Sequence, residues 1–101
     1  MAAIVSQGSY SASSIATIFT ATADVTVSVR ITNKSGSAGT ITEISRSTGT
    51  TTDATGMLLG DVAIADNETL ELTGIVLNTS FENILLTCDV NLNYVFSGAE
   101  Q

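Results

Sequence analysis

Asp24-Val25-Thr26-Val27-Ser28-Val29-Arg30-Ile31-Thr32-Asn33 decides the fold class. Its apolar side chains fall at every second position, and Thr, Ser and Arg fill the gaps. A strand sends successive side chains to opposite faces, so this stretch reads as a half-buried strand with a hydroxyl-rich outer face. The same period returns near the C-terminus, where Ile84, Leu86, Cys88, Val90, Leu92, Tyr94 and Phe96 all sit at even positions. A strand of that length is unusual. The run is therefore read as a hairpin, Asn83–Cys88 and Asn91–Ser97, turning near Asp89.

Outward from these two stretches, further strands are expected at Thr40–Arg46, Met57–Ala65 and Thr69–Asn78. In the last of these, Leu70 and Leu72 alternate up to Gly74, after which Ile75, Val76 and Leu77 run together. Glycine at that switch predicts a bulge or bend that carries the strand to another face or sheet. Ile15–Thr20 could be capped as a helix by Ser14, but its β-branched density favours a strand. Turn residues punctuate the chain at Lys34–Gly39, Asp66–Glu68, Asn78–Ser80 and Ser97-Gly98. The longest break, Ser47–Gly56, has one charge and no large apolar side chain. Many short strands without a strong helix predict a single all-β domain, an antiparallel β-sandwich of jelly-roll or Ig-like type. An N-terminal arm is expected over residues 1–14 and the sandwich over 15–101.

Composition narrows function. The 101 residues carry 3 basic and 10 acidic side chains, a net charge of -7, with no His, no Pro and one Cys. Three scattered basic residues cannot neutralise a phosphate backbone, so no nucleic-acid partner is expected. Without His there is no zinc site and no histidine base, and one cysteine forms no internal disulfide. No apolar run reaches the length of a signal peptide's core or a membrane span, so the chain is expected to be made in a cytoplasm and to have no membrane partner. The three sequons, at Asn33, Asn67 and Asn78, read as chance in a chain that is roughly a quarter Ser and Thr.

No chemistry-bearing cluster stands out. Asp66, Glu68 and Glu71 could be searched for a glycosidase pair or a calcium site, but they read as a polar turn and a solvated strand face. Cys88 lies in an apolar row without an activating base, which makes it a small core residue. Lys34 sits in a Gly/Ser turn, and Gly36 and Gly39 lack a phosphate-binding frame. No catalytic residue, metal or cofactor is expected, and the protein is not expected to be an enzyme. The surface is more informative. Exposed strand positions carry Thr and Ser, whereas sheets commonly guard their edges with Lys or Pro. Unguarded edges predict assembly, as a homo-oligomer or with a docked partner. The other reading is a monomer kept soluble by its charge.

The segments "VRITNKSGSAGTIT" (29–42), "LLGDVAIADNETLELTGIVLNTSFENILLTC" (58–88) and "YVFSGAEQ" (94–101) resemble small β-sandwich virion proteins of tailed bacteriophages. The shared signals are Arg30-x-x-Asn33 before a Ser/Gly/Ala turn, the Asp66-Asn67-Glu68-Thr69-Leu70 turn, and a terminal Gly98-x-Glu100. They cover most of residues 24–100. The resemblance implies a capsid decoration or cement protein, trimeric in many such cases, that binds the major capsid protein or another virion protein on the outer surface of the head. The alternative is a tail or adsorption-apparatus component: a fibre, an adaptor or a host-glycan-binding module. Attachment is expected from the apolar arm residues Ile4, Val5 and Tyr10, and glycan contact from the Ser47–Gly56 loop, centred on Thr50, Thr51, Thr52 and Asp53.

Overall fold

A computed structural model describes residues 3–52 and 54–100 of the chain. Eight strands run β1 Ala3–Tyr10, β2 Ala16–Thr20, β3 Val25–Thr32, β4 Gly39–Ser47, β5 Met57–Ile64, β6 Thr69–Leu77, β7 Asn83–Cys88 and β8 Leu92–Glu100, with a 3-10 turn at Ala54–Gly56. They form two four-stranded antiparallel sheets, ordered β1-β8-β3-β6 and β2-β7-β4-β5. The pairs β1/β8, β2/β7, β3/β6 and β4/β5 are the rungs of one long hairpin folded at the β4–β5 connection. Rolled up, and closed by β8 on β3 and β7 on β4, that hairpin is a jelly roll. Of the two sandwich types expected, the pairing order selects this one.

The core lies between the sheets. Val25, Val27, Val29 and Ile31 of β3 point inward, as the alternation requires, and meet Ile41 and Ile44 of β4, Ile84 and Leu86 of β7, and Phe96 of β8. Phe19 and Phe96 stack with ring centroids 4.9 Å apart, and Tyr94 meets Phe96 edge-on at 5.8 Å. Gly74 makes the expected bulge at φ 68°, and the β3–β6 register slips between Val27↔Ile75 and Val29↔Leu72. One extra residue inverts the parity, so Leu70 and Leu72 before it and Ile75 and Leu77 after it all face inward. Of the two outcomes expected, a change of face or of sheet, the bulge shifts the facing parity and the strand stays in one sheet.

Two expectations are corrected. The segments Asn83–Cys88 and Asn91–Ser97 do not form a hairpin, because β7 and β8 belong to opposite sheets and residues 89–91 cross between them. Even positions face the core on both sides of the crossing, so the period continues unbroken without any pairing between the two strands. The arm expected over residues 1–14 is, from Ala3 to Tyr10, a strand of the sandwich: β1 pairs with β8 in eight consecutive registers from Ala3↔Ala99 to Tyr10↔Leu92.

Candidate interaction surface

The two sheets differ on their outer faces. On sheet β2-β7-β4-β5, Ile44 and Ile84 belong to the core, so their neighbours Glu43, Ser45 and Leu85 point outward. Yet Ser45 and Leu85 are 0% exposed and Glu43 is 9% exposed. The Ser47–Gly56 loop covers them. Thr52 Oγ1 donates to Glu43 Oε1 at 2.6 Å, Ser47 Oγ to the Thr51 carbonyl at 2.8 Å, and Asn83 Nδ2 to the Gly49 carbonyl at 3.1 Å. Ser45 and Thr87 add hydroxyls to the Glu43 carboxyl at 3.0 and 3.3 Å. Thr50, Thr51 and Thr52 are themselves exposed, on a loop held down against its sheet; Asp53 lies outside the described residues.

Among the described residues, no such cover lies over sheet β1-β8-β3-β6. Even residues of β1 turn inward with Tyr10, which leaves Val5, Gln7 and Ser9 on the outer face. Across the sheet the rows read Val5-Ser97-Ser28, Gln7-Val95-Arg30-Glu71 and Ser9-Asn93-Thr32-Thr69. The charged side chains in these rows are Arg30 and Glu71, which pair at 2.8 Å and sum to zero. The neighbouring carboxylate raises the Arg30 guanidinium further above its ordinary range. Val5 is 78% exposed, Val95 44% and Val76 42%. In a chain of net charge -7 this is a neutral, hydroxyl-rich face.

The expected attachment residues therefore separate. Val5 is on the open face, Ile4 is half-buried against the core, and the three threonines lie over the other sheet. Tyr10 is 2% exposed and unavailable to a partner. Its hydroxyl is directed at the carbonyls of Ser14 and Cys88 and accepts the Cys88 N–H at 3.0 Å, fastening the end of β1 to the β7–β8 crossing. Cys88 is 1% exposed, and burial pushes its thiol up.

The acidic turn is structural in its contacts. Asp66 accepts the Gly36 amide at 2.9 Å, Glu68 accepts the Ala65 amide at 2.7 Å, and Lys34 donates to Asn67 at 2.9 Å. Asn33, 0% exposed, ties the same corner through Ser35, the Ser37 carbonyl and the Ile64 carbonyl. Among the described residues no group of three His, Cys, Asp or Glu side chains could hold a metal ion. No helix in these residues is long and apolar enough to cross a membrane. No protein-family model, curated protein or solved structure matches the chain.

Proposed function

We propose that the protein is a structural component of a tailed-phage virion, a decoration or cement subunit that docks on the outer surface of the head and braces it. The observation that carries this reading is the open outer face of sheet β1-β8-β3-β6, neutral and uncovered while the opposite sheet is capped by its own loop. The jelly roll is consistent with it by analogy, since the architecture recurs in viral capsid domains. It recurs also in lectins and cupins, so fold alone does not choose among them. Cupin-type metal binding needs imidazoles, and the chain has no His.

A face of Ser, Thr, Asn and Val gives up little charge hydration on docking, and its hydroxyls and amides can exchange water for partner groups. Each contact can be modest, because a symmetric shell presents its partner surface many times. In this reading the partner is the major capsid protein or another virion protein. The subunit is made in the host cytoplasm, and it works through interface area, without a cofactor.

The test is co-sedimentation with particles stripped of the protein. Val95→Glu places a charge at the centre of the open face and should weaken binding at least tenfold. Thr50→Glu, on the loop over the other sheet, should bind like wild type. Full-strength binding by Val95→Glu, or no binding by wild type, would overturn the proposal.

A further inference from the structure

A sheet edge exposes a row of unpaired N–H and C=O groups, and soluble proteins interrupt such rows with charges, bulges or shortness. Three of the four edges here are interrupted. β2 has five residues and a register slip at Thr17/Phe19; β5 has a slip opposite Ile44/Ser45 and Asp61 at φ 50°; β6 has the Gly74 bulge and Glu71. β1 has none of these devices. It runs eight residues in unbroken register, and the first charged side chain of the whole sequence is Asp24. Its neighbour β8 is uncharged from Leu92 to Ala99. The β1 edge is thus long, regular and neutral in a chain of net charge -7.

We infer that β1 pairs antiparallel with β1 of a second copy across a two-fold axis near Val5, joining two four-stranded sheets into one of eight strands. The second copy is the fitting occupant for two reasons. Two chains of charge -7 repel each other, so a self-contact is favoured where neither brings a charge; β1 is such a place, and its neighbour β8 carries a charge only at its last residue, Glu100. A strand paired antiparallel with itself is also self-complementary: the face that points inward in one copy points inward in the other. Centring the pair on Val5, 78% exposed, sets each copy's most exposed large apolar side chain among the described residues against its twin.

This inference rests on the proposed virion role only for its consequence. The two-fold axis of an antiparallel pair stands perpendicular to the sheet, so both open faces point the same way and a shell would be met bivalently. The closed unit is a dimer, not the trimer that the sequence resemblance implies.

The experiment uses purified protein without particles, so its result is independent of the docking assay. Light scattering at micromolar concentration should give twice the chain mass for wild type and the single mass for Val5→Lys, with an unchanged circular dichroism spectrum. In a Cys88→Ala background, Val5→Cys should form a dimer-linking disulfide under mild oxidation, because paired strands hold Cα atoms within disulfide reach. Ser9→Cys should not, since its twin would lie roughly 27 Å away at about 3.4 Å per residue. If Val5→Lys or Cys88→Ala disturbs folding, hydrogen exchange on wild type replaces it: dilution should speed exchange in residues 3–7 and leave β6 unchanged. A monomer or trimer mass for wild type, a dimer that survives in folded Val5→Lys, or dilution-independent exchange in β1 would each overturn the inference.

Discussion

Tyr10→Phe isolates the tie that makes β1 part of the sandwich. The ring remains, so no cavity opens; the oxygen alone is removed. Its loss leaves the Cys88 N–H, now bonded at 3.0 Å, without an acceptor inside a buried corner, and deprives the Ser14 and Cys88 carbonyls of their shared donor. Tyr10 is 2% exposed, so water cannot readily substitute. A buried donor stripped of its partner costs about 1–3 kcal/mol, and a loss of about 2 kcal/mol is expected. For a domain of this size that lowers Tm by roughly 8–16 °C. Urea unfolding followed by far-ultraviolet circular dichroism, at one fixed protein concentration, reads the change as a shifted midpoint at constant slope. A shift equivalent to less than about 0.5 kcal/mol, the range of an ordinary surface substitution, would contradict the Tyr10 tie and make residues 3–10 a loosely held arm.

Three other outcomes are expected. Thr52→Val removes the 2.6 Å donor to Glu43 and should cost about 1–2 kcal/mol while making residues 48–55 easier to cleave by limited proteolysis; unchanged cleavage would contradict the loop's role as a cover. Gly98→Ala would put a methyl 2.1 Å from the Thr26 carbonyl and 2.8 Å from Val27 Cα, both backbone, so it should destabilise by about 1–3 kcal/mol in a melting curve, and neutrality would contradict the β3–β8 register. Burial raises the Cys88 thiol above its ordinary 9.0, so the folded state holds that proton more tightly than the unfolded one. The resulting stability is intact below about pH 9 and falls as pH rises through the folded value. Urea midpoints measured from pH 7 upward should show this slope in wild type and not in Cys88→Ala.

Much of the sandwich was legible because its period-two rows are apolar and complete. β3 is the clearest case, and Gly74 marked its bulge because the apolar parity changes across it. β1 was not legible as a strand for a physical reason. Its inward positions are Ile4, Ser6, Gly8 and Tyr10, and two of the four are small. At Gly8 the space is taken by Tyr94, whose hydroxyl would lie 2.6 Å from an added Cβ. A neighbour's ring fills the core there, so the local sequence shows no alternation. The β7–β8 crossing misled because a chain that changes sheets keeps its inner side inward, as a hairpin also would. The covered outer face of the loop-bearing sheet did leave a signal. Ile84-Leu85-Leu86 is a continuous apolar run, and a strand buried on both faces reads that way. The open face shows only in part, as the Thr and Ser positions of β3; its neutrality across the sheet is a property of four strands brought together by the fold.

The virion role is measured most directly by the number of copies per particle, by quantitative mass spectrometry of purified virions. A decoration or cement subunit predicts hundreds of copies, released together under conditions that leave the shell closed. A handful of copies that remain with isolated tails, or none at all, would contradict it.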